Sequence, residues 1–189
     1  MTTITSQQSK EMGKGKISVS ELTICGAFTA LVCVLTMFIQ IQIIPAEGGM
    51  VHLGNVPMFI AAAFFGKRVG AICGGLGMAL SDLLSGWTMW APATLIIVGL
   101  MGLIYGAIVN KRPTLPRLLV ATATVLLIKL TGYYIFEAVV TDNWVAPWFS
   151  VPGNIMQIVT GAIIAIPIIL VSGVALKKKW IIWRKVHYV

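Results

Sequence analysis

Apolar runs of bilayer length, separated by brief polar breaks, constrain this chain more than any other feature. The breaks fall at Pro45–Asn55, Gly66–Arg68, Ser85–Trp90, Asn110–Arg117, Thr141–Gly153 and Lys177 onward. A helix needs roughly 20 apolar residues to cross a hydrocarbon core about 30 Å thick. No water satisfies the backbone in lipid, so spans are helices or closed barrels. The alternating pattern of barrel strands is absent, which leaves helices. A soluble core could not absorb this material either: 58% of the 189 residues are hydrophobic, 11% are charged, and the mean hydropathy is +0.92.

Residues 1–17 hold Lys10, Lys14 and Lys16 and no apolar stretch, so they read as a disordered cytoplasmic tail rather than a signal peptide. Ser18-Val-Ser-Glu21 has capping-box spacing and opens a helix over 18–43, which Pro45 ends. Residues 45–55 read as a turn-rich loop. A second helix over 55–65 covers only about 17 Å, so it is either a short span helped by that loop or a re-entrant piece. Further helices are expected over 69–84, 92–109, 118–140 and 154–176, the last kinked at Pro167. Residues 177–189 form a basic cytoplasmic tail. The expected fold is an all-α integral membrane protein: one compact six-transmembrane-helix bundle over 18–176 with a short second helix.

Charge sets the orientation. The net charge is +8, and all but Lys129 of the 14 Lys and Arg residues lie in the tails or in the breaks at 66–68 and 110–117. Six crossings put all of those segments on one side, whereas counting 55–65 as non-crossing would split them. The positive-inside rule makes that side cytoplasmic, with both termini in and the chain in the cell membrane. This distribution points to a lipid bilayer and not to nucleic acid. Trp87, Trp90, Trp144 and Trp148 fall at the outer ends of the runs, and Trp180 and Trp183 just past the inner end of the sixth. That is an aromatic belt, and the outer four can also form a stacking lid over a ring-shaped ligand. Cys25 and Cys33 lie about 12 Å apart along one helix, too far to bridge, so the thiols read as packed and reduced.

Small residues recur at four-residue spacing: Gly70/Gly74, Gly75/Ala79 and Gly77/Ser81 in the third helix, Gly102/Gly106 in the fourth, and Gly26/Ala30 in the first. Such spacing lets backbones approach closely in lipid. For the third and fourth helices this means packing within the bundle. The Gly26/Ala30 face can equally meet another protein.

Polar residues within the runs carry the chemistry. Lys129, Tyr133 and Glu137 are spaced i, i+4, i+8 on one stripe of the fifth helix, with Lys129 near mid-membrane and Glu137 near the outer end. Ionisable groups at such depth cost about 2.5–3.5 kcal/mol each on insertion scales, so they need a partner, a ligand or a wet cavity. Asn154 and Gln157 follow at the outer start of the sixth helix, Asn154 also suiting a helix cap. Asp82 ends the third helix, and His52 and Asn55 precede the second. Together these groups can converge on a pocket open to the outside, although Lys129 equally suits an internal structural pin, and Asp82 and Glu137 equally suit solvation at the interface. There is no Gly-x-x-x-x-Gly-Lys-Ser/Thr phosphate loop, no His-Glu-x-x-His, no nucleophile–base set and no three-plus-three inverted repeat. The expectation is therefore a binding protein without cofactor, metal or enzymatic activity. The competing class is an autonomous channel or proton-coupled carrier with Lys129 and Glu137 as its relay.

The segments HLGNVPMFIAAAFFGKRVGAICGGLGMALSDLL, WAPATLIIVGLMGLIYG and VPGNIMQIVTG, in a six-helix chain of this length, resemble the S component of an energy-coupling factor (ECF) vitamin transporter. The likeness spans about 18–176. Asp82, Pro92-Ala-Thr94 and Pro152-Gly-Asn154-x-x-Gln157 are most similar to the hydroxymethylpyrimidine or pyridoxine branch. The resemblance implies an outer-face vitamin site built from the outer halves of helices 4–6 and the loop between helices 1 and 2. It implies delivery with a transmembrane coupling protein (T component) and two cytoplasmic ATP-binding-cassette ATPases. It also implies docking of the coupling protein on the first helix, where Gly26-x-x-x-Ala30 stands for the family's Ala-x-x-x-Ala. On this reading Trp87, Trp90 or Trp144 stacks on the ring, Glu137, Asn154 and Gln157 read its polar groups, Lys129 donates from the floor, and Tyr133, His52 and Asn55 complete the site.

Overall fold

A computed structural model describes residues 19–44, 49–110 and 112–187, with side chains placed in all of these except 41–44, 49–50 and 174–187. The N-terminal tail expected over 1–17 and the cap at Ser18 lie outside the described residues, as do the side chains of the basic C-terminal segment. The elements in chain order are α1 (Val19–Phe38), β1 (Gln40–Ile44), β2 (Gly49–His52), α2 (Asn55–Phe65), α3 (Lys67–Leu84), α4 (Ala91–Val109), α5 (Leu115–Thr141) and α6 (Pro147–His187). Helices dominate, and the chain is an all-α membrane protein with one small hairpin. Among the described residues, α1, α4, α5 and α6 as far as Gly173 are long and apolar enough to cross a membrane.

The hairpin corrects the expected first helix, which stops at Phe38 instead of continuing to 43. Residues 40–44 read Gln-Ile-Gln-Ile-Ile, an alternation of period two that suits a strand better than a helix. Strand β1 pairs antiparallel with β2, and the register Gln40↔His52 fixes where the second strand delivers its histidine. The Thr36 hydroxyl folds back on the Val32 carbonyl at 2.7 Å in the last turn of α1.

Helix α2 is the hub. Eight of its 11 residues are buried, Met58, Phe59 and Ala61–Ala63 completely. Pro57 sits in its first turn, where a missing N–H costs nothing. Gly66 then turns the chain directly into α3 at φ 98°, a conformation that favours glycine. Phe59 stacks on Tyr105 of α4 at 4.5 Å between ring centroids, inside a core that α5 and α6 complete with Leu118, Val125, Ile158 and Ile169.

Helices α3 and α4 meet through their glycines. A Cβ on Gly102 would land on the Gly70 carbonyl, one on Gly75 would stand 2.8 Å from the Leu95 carbonyl, and one on Gly106 would stand 2.5 Å from the Lys67 backbone. The small-residue spacing is therefore a backbone-to-backbone seam, held by packing. On α1 the same spacing faces outward: Gly26 and Ala30 are exposed, and nothing lies within 4 Å of a Cβ built on Gly26.

The sixth helix also departs from expectation. It starts at Pro147 rather than 154 and runs on to His187, through Pro152 and Pro167. Asn154 is thus not its cap but lies two turns inside it. Helix α5 reaches from Leu115, with Pro116 in its first turn, to a left-handed cap at Asp142 (φ 50°).

Candidate functional site

Five elements bring polar and aromatic side chains to one cavity at the end of the bundle where α3 and α5 finish and α4 and α6 begin. It is lined by His52 of β2, Asp82 of α3, Trp87 and Trp90 in the α3–α4 turn, Thr94 of α4, Lys129, Tyr133 and Glu137 of α5, and Ser150, Asn154 and Gln157 of α6. This is the end that the charge pattern assigns to the outside.

Helix periodicity places most of these groups. Lys129, Tyr133 and Glu137 each lie about one turn apart on α5, and Ser150, Asn154 and Gln157 form the matching stripe on α6. The two stripes are tied together at both ends. Deep in the cavity the Lys129 ammonium, 1% exposed, donates to Gln157 Oε1 at 2.6 Å and stands 5.4 Å from the centroid of the Tyr133 ring. Nearer the mouth Ser150 donates to Glu137 Oε1 at 3.0 Å. Both Lys129 and Glu137 are buried, so Glu137 is not a solvated interfacial charge.

The α4 side is organised by a hydroxyl relay. Tyr133 donates to Thr94 Oγ1 at 3.0 Å, and Thr94 in turn hydrogen-bonds the Asp82 side chain. Trp90 closes the same wall, its ring tilted against Tyr133 at 6.3 Å and edge-on to Phe136 at 5.4 Å. His52 enters from the hairpin. Its Nδ1 accepts the Gly54 N–H at 3.2 Å, which leaves the proton on Nε2. Burial, aided by the charge of Lys129, pushes its pKa down to about 3, so the imidazole is neutral and acts as a hydrogen-bond donor. Among the described residues no cluster of His, Cys, Asp or Glu is built to hold a metal ion. Such a cavity can hold a flat, polar ring: aromatic walls on one side and donors and acceptors fixed in mutual hydrogen bonds on the other.

Residues 16–177 match the family model of the ECF-type riboflavin transporter, S component. The chain belongs to this family. It is the membrane-embedded S component of a vitamin-type transporter, and the family's business is transport, not enzymatic conversion. Two curated relatives match the chain, one of them named as a transporter. One is the thiamine precursor transporter HmpT of Lactococcus lactis subsp. cremoris, 30% identical over 148 residues, covering 78% of this chain and 84% of the relative. The other, from Pyrococcus woesei, is described only as an uncharacterised protein in a gap 3′ region; it is 33% identical over 135 residues, 70% of this chain and 88% of its own.

Of the residues expected at a site in this S component, His52, Trp87, Trp90, Lys129, Tyr133, Glu137, Asn154 and Gln157 line the cavity. Two do not. Trp144 is 62% exposed and packs against Tyr134 outside the cavity, whose hydroxyl donates to the Trp144 carbonyl at 2.7 Å. The reason is the loop: Asn143 Oδ1 accepts the N–H groups of Val145 and Ala146 and folds the turn onto the start of α6, aiming Trp144 outward beside Trp148. Asn55 is fully buried behind the cavity, where its Nδ2 reaches the Gln157 carbonyl at 3.4 Å. It ties the start of α2 to α6. Asp82, expected among the converging polar groups though given no ligand role, lines the cavity too, whereas Thr94 and Ser150 are lining residues absent from the expected set. Ser150 was legible as the residue four before Asn154, but only once α6 is started at Pro147. Thr94 was legible only within the Pro92-Ala-Thr94 segment of the family resemblance; as a hydroxyl in the first turn of an apolar helix it was a further polar signal at the outer end.

Proposed function

We propose that this S component captures a small vitamin or vitamin precursor, hydroxymethylpyrimidine or pyridoxine, in the cavity between α3, α4, α5 and α6. The cavity opens to the cell exterior, both termini are cytoplasmic and all six helices traverse the membrane. Release inward requires a transmembrane coupling protein and two cytoplasmic ATPases, with the coupling protein docking on the Gly26/Ala30 face of α1. The observation that carries the reading is the Lys129–Gln157 bond at 2.6 Å inside a Trp- and Tyr-walled cavity. It spends a buried charge on holding polar groups in place beside space for a ring. The thiamine-precursor activity named for the HmpT relative supports a pyrimidine as the ring. The bare Gly26 surface supports the docking face.

The ligand contacts assigned here are Trp87 and Trp90 on the ring faces, and Lys129, Tyr133, Glu137, Asn154, Gln157 and His52 on its polar groups. Uptake of labelled hydroxymethylpyrimidine or pyridoxine into liposomes tests the division of labour. Uptake is expected only when the coupling protein and ATP-loaded ATPases are reconstituted with this chain. Uptake by this chain alone would establish an autonomous carrier instead.

A further inference from the structure

Several polar groups of the cavity hold one another in pairs. Lys129 is engaged by Gln157, Tyr133 by Thr94, and Ser150 by Glu137. Asp82 receives the Thr94 hydroxyl, yet among the described residues its buried Oδ2 has no hydrogen-bond partner. The residue itself is only 9% exposed, and it lines the cavity. A carboxyl oxygen withdrawn from water with no donor is costly, and it stays that way only if something else supplies the donor. The protein's own candidates are committed elsewhere or out of reach: Lys129 points to α6, and no indole or imidazole N–H of the lining residues reaches Oδ2. Thr94, itself held by Tyr133, hydrogen-bonds the Asp82 side chain, so turning the carboxyl away would break that relay.

We infer that Asp82 is a specificity-determining residue whose Oδ2 accepts an in-plane N–H of the bound ring. This inference rests on the vitamin-binding reading above and deepens it. The N–H is the exocyclic amino group of an aminopyrimidine or the protonated ring nitrogen of a pyridinol. Both present a donor in the plane of a ring that Trp90 and Tyr133 can cover. The ligand then bridges α3 to the α5–α6 pair, and a ring of the same shape without the N–H leaves Oδ2 orphaned and binds poorly. Selection of this kind arises because a wrong ligand strands a buried polar group, a larger penalty than loss of an apolar contact.

The test is a thermodynamic cycle on the full chain in nanodiscs, measured by calorimetry. The ligands are 4-amino-5-hydroxymethyl-2-methylpyrimidine and its analogue with hydrogen in place of the amino group, and pyridoxine and its benzene analogue without the ring nitrogen. Wild type is expected to favour the N–H-bearing member of the pair it binds by about ten- to a hundredfold. Asp82→Leu, which keeps the side-chain size but has no acceptor, is expected to lose most of that preference while binding the analogue without N–H as well as wild type does. Which pair shows the preference identifies the source of the N–H. The wild-type arm needs no variant, so it stands even if Asp82→Leu fails to fold. If wild type binds a parent vitamin but shows no preference within its pair, or if Asp82→Leu keeps the preference, Asp82 is not the acceptor and the vitamin reading survives. If wild type binds neither parent ring, both the vitamin reading and the Asp82 inference fall.

Discussion

Helices α3 and α4 and helix α1 carry the same small-residue spacing, and the fold treats them oppositely. On α3 and α4 the glycines let the backbones meet, Gly70 against Gly102 and Gly106 against Lys67, with no room for a Cβ. On α1, Gly26 and Ala30 are exposed, and nothing among the described residues lies within 4 Å of a Cβ built on Gly26. Spacing alone therefore says that a backbone can be approached closely, not by what. The difference comes from the remaining faces of α1: its buried residues are Cys25, Val32 and Thr36, and Cys25 meets Ala61, Val69 and Cys73. That leaves the adjacent Gly26 pointing out. A small-residue face that the bundle does not use, on a chain whose family works with partner subunits, is the face we assign to docking.

Substitutions can break this contrast. The largest effect is expected from Gly102→Leu, which drives a side chain into the α3 backbone. Overpacking there should cost at least about 3 kcal/mol and abolish a monodisperse, cooperatively melting protein. A normal melting curve would show that the seam yields. Gly26→Leu adds the same bulk where space is open, so folding and vitamin binding should stay as in wild type while co-purification with the coupling protein is lost. Survival of that complex would move docking off this face. Gln157→Ala leaves the α3–α4 seam and the open α1 face unchanged and strips the Lys129 ammonium of its Gln157 partner. Affinity should fall at least about tenfold with unchanged membrane yield, and unchanged affinity would remove Gln157 from the site.

The smallest effect concerns pH. His52 is ordinarily protonated below about 6.5 when exposed, but in the fold it stays neutral down to about 3. The unfolded chain thus binds the extra proton between those values, and stability is full above pH 6.5 and declines as pH falls toward 3. His52→Gln should flatten the acid side of the melting profile, read as melting temperature between pH 7 and pH 4. An unchanged slope would mean that His52 is not held neutral.

Much of this architecture was legible in the chain. Run lengths gave the membrane helices, and the i, i+4, i+8 stripe of Lys129, Tyr133 and Glu137 does line the cavity. What escaped was set by competition between signals or by tertiary contact. The strong apolarity of 40–44 masked its two-residue period, so the hairpin that delivers His52 read as helix. Pro152-Gly153 read as a loop and hid the first two turns of α6, and Ser150 with them. Trp144 has no periodicity to read, because a capping turn at Asn143 decides where it points. Asn55 looked like a ligand group, but its contact with the Gln157 carbonyl joins residues 102 apart in sequence, which no local pattern reports.

The most direct test of the central claim is binding of the vitamin itself. Purified chain, in nanodiscs and without any coupling protein or ATPase, should bind hydroxymethylpyrimidine or pyridoxine with one-to-one stoichiometry by calorimetry and quench its tryptophan fluorescence. Loss of that quenching in Trp90→Phe, with binding retained, would place the ring against Trp90. Absence of binding of either compound to the folded wild-type chain would contradict the account.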